Sequence, residues 1–153
     1  MAEYMNTSLG FIVVSRQEIE TGLLLRSPYI VISIADPGSR LPKIRRSALC
    51  LGILRMRFHD AEPCQDFILP PEIKLMTRRQ ALTAWRFVYQ YLAHVQTIVV
   101  HCEAGMSRSP AVAAAVCRGL GGDDRRFFQE YQPNMHIYRL MLATKPAPSR
   151  HPQ

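Results

Sequence analysis

Apolar residues fall into two rhythms along this chain. Short continuous runs, rich in β-branched residues, occupy positions 10–14, 29–34 and 97–100, and the stretch 50–58 turns to strict alternation at its end. Each reads as a strand, and the continuous runs suit strands buried on both faces. Between them the spacing is helical. Ser15 with Glu18 forms a capping box that opens a short helix to about residue 25. Thr77 with Gln80 does the same for the longest helix, to about residue 95, where Ala81, Trp85, Val88 and Leu92 mark the buried face. An alanine-rich helix covers 111–117, with Pro110 in its first turn, and Gly119, Gly121 and Gly122 end it. Asp123 or Asp124 caps a helix over 125–131, and 133–142 reads as a final amphipathic helix. Strands alternating with helices predict an α/β fold, a central mostly parallel sheet flanked by helices, with ligands at the C-terminal edge of the strands.

Composition narrows this picture. At 153 residues, 48% hydrophobic and 20% charged, the chain fits one domain with a sizeable core, spanning 10–144. Residues 1–9 read as a flexible start, and the Pro-containing segment 145–153 reads as a disordered tail. No apolar run approaches membrane-spanning length, and the N-terminus lacks a basic-then-apolar signal. Four cysteines, Cys50, Cys64, Cys102 and Cys117, show no metal-ligand spacing. A formal charge of +7 and a pI near 9.6 favour anionic partners. The arginines are scattered, with no zinc finger or aromatic RNA-binding motif, so nucleic acid is not expected. A surface that steers phosphorylated substrates and a merely solvated basic surface fit equally well.

The chemistry concentrates at 101–110, His-Cys-Glu-Ala-Gly-Met-Ser-Arg-Ser-Pro, where a strand gives way to a tight loop and then a helix. A helix N-terminus presents unpaired N–H groups and a positive dipole end, which together form an anion site. Gly105 gives the loop conformational freedom, so the amides of Glu103, Ala104, Gly105, Met106 and Ser107 can converge on one phosphate. Arg108 adds a planar fork for two phosphate oxygens. The same field favours a nucleophilic thiolate at Cys102. A nucleophile under a phosphate cradle is a phosphatase arrangement. A catalytic thiolate calls for a reducing compartment, so a cytoplasmic location is expected.

The run from Cys102 to Arg108 resembles the Cys-(any five)-Arg signature of cysteine-dependent protein tyrosine phosphatases. With His101 before it and Ser109 after it, the motif is most similar to the small dual-specificity branch. The 133–142 segment is similar to a Pro-Asn-x-x-aromatic-x-x-x-Leu pattern near the end of those domains. The resemblance implies a metal-independent, cofactor-free hydrolysis of phosphate monoesters on proteins through a cysteinyl-phosphate. Cys102 is then the nucleophile, and Arg108 with the loop amides holds the phosphate.

The resemblance also implies a general-acid aspartate on a loop upstream of the cysteine. Asp60 directly follows a strand, and its neighbours resemble the family's acid loop; Asp66 is a rival on the same loop. Ser109 can donate a hydrogen bond to the Cys102 sulfur or serve as a helix N-cap. His101 is expected to support the loop rather than exchange protons, His59 either tunes Asp60 or is simply exposed, and Asp36 reads chiefly as a turn residue. Phosphoinositide phosphatases often carry lysines inside the loop, where this chain has Glu103, Ala104 and Met106, so the expected substrates are phosphotyrosine proteins foremost, with phosphoserine and phosphothreonine proteins beside them. Alternatives are a phosphate-reading binding module, a phosphatase of non-protein esters, and a sulfurtransferase or arsenate reductase sharing the loop. A reductase would require a partner cysteine near Cys102.

Overall fold

In the computed structural model, which describes residues 9–147, the apolar runs form four strands. They are β1 (Gly10–Val14), β2 (Tyr29–Ala35), β3 (Cys50–Arg57) and β4 (Thr97–His101). The helical stretches form α1 (Arg16–Thr21), α2 (Arg78–Tyr91), α3 (Arg108–Gly119), α4 (Arg125–Glu130) and α5 (Met135–Thr144). Of the expected terminal segments 1–9 and 145–153, all but Leu9 and positions 145–147 lie outside the described residues.

The strands form one sheet in the order β1-β4-β2-β3, and every neighbouring pair is parallel. Strand β2 is buried along its whole length, as a central parallel strand must be when both faces are covered. Alternation divides its side chains. Ile30, Ile32 and Ile34, with Ile98 and Val100 of β4, face the main core against α2, α3 and α5. Tyr29 and Val31, with Val99 and Val14, face a smaller cluster closed by Ile19 of α1 and by Leu23, Leu25, Ile44 and Leu49. The sheet therefore has a thick side and a thin side, and its C-terminal edge carries the junctions after β2, β3 and β4.

Helix boundaries shift from expectation for local reasons. Helix α1 stops at Thr21, because Gly22 turns to φ +112° and its N–H returns to the Glu18 carbonyl at 3.2 Å. Helix α2 stops at Tyr91 rather than near 95, since the chain must turn through His94 and Val95 to enter β4. Helix α3 begins at Arg108 with Ser107 as its N-cap residue, so Ser109 lies inside the first turn and is not the cap. Helix α5 begins at Met135; Asn134 caps it by accepting from the Ile137 N–H at 3.1 Å.

Trp85 locks the thick side together. It is fully buried, and its indole N–H donates to the Met141 carbonyl at 2.7 Å, tying α2 to α5. Gly119, the last residue of α3, lets the indole pass: a Cβ there would sit 2.4 Å from Trp85 Cη2. Alanine normally favours a helix over glycine by about 1 kcal/mol, but this ring has no room to yield. Gly119→Ala should therefore destabilise the fold by about 1–3 kcal/mol in urea unfolding, against the sign that propensity alone would give.

Candidate active site

Strand β4 ends at His101 and delivers Cys102 into the loop that enters α3. The Cys102 side chain is almost fully buried. Its sulfur accepts from the Gly105 N–H at 3.3 Å and lies 3.0 Å from the Ser109 hydroxyl. A thiolate can only accept, so in that form of the cysteine Ser109 is the donor. Gly105 sits at φ +71°, and a Cβ there would press to 2.9 Å on the backbone of Val14 and Ser15. The loop thus rests directly on the β1–α1 junction, which an Arg16 N–H bond to the Glu103 carbonyl at 3.0 Å reinforces. Among the described residues, the amide N–H groups of Glu103, Ala104, Met106, Ser107 and Arg108 meet no protein acceptor. Together with the start of α3, they can receive an anion.

Arg108 is buried under this loop, with both hydrogens of one terminal nitrogen committed. They go to Asp36 Oδ1 at 2.6 Å and to the Phe58 carbonyl at 2.7 Å. Among the described residues, the rest of the guanidinium meets no protein acceptor and can donate to an anion. Asp36 lies just past β2 and does serve its turn, accepting the Ser39 N–H at 3.1 Å. It also orients the arginine, which the local sequence does not show. His101 is fully buried behind the loop. Its Nδ1 faces the Cys102 carbonyl at 3.2 Å, an atom that can only accept, so the proton resides on Nδ1 and Nε2 accepts from the Ser33 hydroxyl at 2.7 Å.

A cavity of about 380 Å3 lies over the sulfur, bounded by Cys102, Ala104 and Met106 on one side and by Asp36, Asp60 and Ile73 on the other. Asp60 sits in the segment following β3. Its Oδ1 accepts from the Ser107 hydroxyl and from Asn134 Nδ2, both at 2.8 Å, so one oxygen is fixed by two donors, Oδ2 has no protein partner among the described residues, and the residue lines the cavity. Asn134 also donates to the Ala61 carbonyl at 3.1 Å, and Glu62 accepts from the Met135 N–H at 2.6 Å, which clips this segment to the start of α5. Asp66 lies elsewhere, exposed at the tip of a tight turn between Cys64 and Phe67, and it is not among the residues lining the cavity. His59 lines the cavity too, but its Nδ1 accepts from the Lys74 N–H at 2.9 Å, so it braces the loop.

Neither the Ser107 hydroxyl nor the Asn134 clamp is marked by a local pattern beyond the Pro133-Asn134 pair. The other buried cysteines stand apart from the site. Cys50 begins β3, at the opposite end of the sheet, and Cys117 is turned toward the Asp123 carbonyl near the far end of α3. At 1.5 Å per residue, that position is about 13 Å along the helix from Arg108.

No protein-family model matches the chain, and no curated protein matches it in sequence. Solved structures do match. The crystal structure of human DUSP28 is 16% identical, covers 88% of this chain and 90% of its own, and superposes with a TM-score of 0.56. Human tyrosine phosphatase-like serine/threonine/tyrosine-interacting protein is 20% identical over 76% of each chain, with a TM-score of 0.49. Tk-PTP in its active form is 14% identical over 92% of this chain and 95% of its own, with a TM-score of 0.47. The chain has the protein tyrosine phosphatase-like fold that its 101–109 motif resembles.

Burial of His101 has a measurable consequence. Desolvation, opposed by its bond to the Cys102 carbonyl, lowers its pKa from 6.5 to about 4. Between those values the unfolded chain binds a proton that the folded chain refuses, so stability is complete above about pH 6.5 and falls as pH drops toward 4. Urea unfolding across that range should show a loss on the order of 3 kcal/mol from this group, and His101→Gln should remove most of that slope.

Proposed function

We propose that this protein is a metal-independent phosphatase that hydrolyses phosphate monoesters on proteins, phosphotyrosine foremost, through a cysteinyl-phosphate intermediate. One observation carries the reading. A buried cysteine sulfur, a buried arginine and the carboxyl of Asp60 meet around one cavity, with unpaired loop amides beside the sulfur.

In the first step the Cys102 thiolate attacks phosphorus and the bond from phosphorus to the leaving oxygen breaks. Asp60 gives that oxygen a proton from Oδ2, the oxygen its two donors leave free. The loop amides and the free side of the Arg108 guanidinium hold the equatorial oxygens, more tightly as charge builds in the transition state. This fixed positive charge takes the part that a metal ion plays in other phosphatases. In the second step water attacks phosphorus and passes its proton to the Asp60 carboxylate. The sulfur–phosphorus bond breaks, inorganic phosphate leaves, and the thiolate returns to the hydrogen bonds of Ser109 and Gly105.

The deciding experiment is hydrolysis of a small aryl phosphate with EDTA and reductant present. Wild type should turn over, and Cys102→Ser should be inactive. Failure of wild type to turn over, with phosphate or vanadate still raising its melting temperature, would replace this reading with a phosphate-binding module. Asp60→Asn should lower kcat by about 10²–10⁴-fold while inorganic phosphate still binds; an unchanged rate would remove Asp60 from the mechanism. Asn134→Ala should lower kcat less, about tenfold, since it frees the carboxyl without deleting it. Asp66→Asn should leave the rate where it is.

A further inference from the structure

The catalytic cavity has a neighbour. A second cavity of about 570 Å3 lies between α1 and the loop, bounded by Arg16, Gln17, Glu20 and Thr21 and by Glu103 and Ala104. The two cavities meet at Glu103 and Ala104, which line both and are exposed at the rim. This shared rim offers a route out of the catalytic cavity for a chain bound with its phosphate over Cys102.

The charges on that path run opposite to the protein as a whole. Across both cavities the charged side chains are Asp36, Asp60, Glu20 and Glu103 against Arg16 and Arg108, on a chain of net charge +7. Arg108 belongs to the phosphate and to Asp36. Arg16, its side chain largely buried, is already engaged: Nε donates to Glu20 Oε1 at 3.1 Å, one terminal nitrogen to the Arg40 carbonyl at 2.7 Å, and the other lies 3.9 Å from Glu103 Oε2. A second phosphate, or an acidic side chain, would have to displace a carboxylate from this arginine. A cation would not, because one guanidinium leaves two carboxylates under-compensated and both side chains remain partly exposed.

We infer that the second cavity is the subsite for the residue flanking the phosphorylated one, and that it selects lysine or arginine there. The inference rests on the phosphatase reading for what occupies the cradle. The overall positive charge then acts at long range, drawing phosphorylated chains in, while Glu20 and Glu103 sort them at contact distance. A partly exposed pair of this kind corresponds to about a fivefold preference, shrinking as salt is added.

The test uses two phosphotyrosine peptides that differ only in carrying Lys or Glu beside the phosphotyrosine. Their Kd is measured on Cys102→Ser, which holds substrate without turning it over, and their kcat/KM on wild type. The Lys peptide should win by about fivefold on both measures. Glu20→Lys should reverse the order in both backgrounds, with aryl phosphate hydrolysis unchanged when Cys102 is present. Equal affinities, a preference for Glu, or an order indifferent to Glu20→Lys would overturn the subsite. So would failure of either peptide to bind. Aryl phosphate hydrolysis by wild type reports separately on the phosphatase reading: turnover without charge preference removes the subsite alone.

Discussion

A guanidinium that is almost entirely out of water sets the terms for this structure. Burying Arg108 costs several kcal/mol unless its donors are met, and the partners that meet them come from two other strands. Asp36 arrives from the end of β2, the Phe58 carbonyl from the end of β3, and the arginine itself from the start of α3, just past the loop after β4. One planar group therefore gathers three strand ends at one edge of the sheet. Removing one partner would leave a buried charge only partly compensated, so the edge holds together or loosens as a unit.

The loop beside it is fixed from behind as well. His101 grips the Cys102 carbonyl and is gripped by Ser33; Gly105 lies flat on the β1–α1 junction; and the Gln132 and Asn134 N–H groups hold the Met106 and Ser107 carbonyls at 3.0 and 3.1 Å. The Cys102, Met106 and Ser107 carbonyls are thus tied to protein while the amides of Glu103, Ala104, Met106 and Ser107 stay open among the described residues. A cradle of this kind needs little reorganisation when an anion enters it, which is where electrostatic preorganisation gains its effect. Asp60 is steadied by the same frame, because its two donors are a loop residue and the cap of α5.

Much of this was legible along the chain, and the rest was not for a definite reason. The strands announce themselves because a parallel sheet covered on both faces demands continuous β-branched runs, as in β2. The 102–108 loop is legible because its pattern is local, with cysteine, glycine, arginine and helix start falling within seven consecutive residues. The Arg108–Asp36 and Asn134–Asp60 contacts span 72 and 74 positions, and they exist only because β4 lies next to β2 and α5 turns back across the loop. No periodicity encodes that order. Helix α3 begins three residues before the alanine-rich run at 111, because Pro110 marks a first turn without marking which residue of the turn it occupies.

The sheet order also governs how the molecule comes into being. Strand β1 pairs with β4, Gly10 opposite Thr97, and β4 inserts between β1 and β2. No early hairpin can close this edge, because parallel neighbours so distant in sequence form only after a long loop closure. A growing chain made from its N-terminus therefore carries two apolar strands with an empty place between them until residues 97–101 have been made. The anion cradle follows directly after the strand that fills that place. It is a late product of folding, and the open strand edges that precede it are the period of greatest exposure to aggregation.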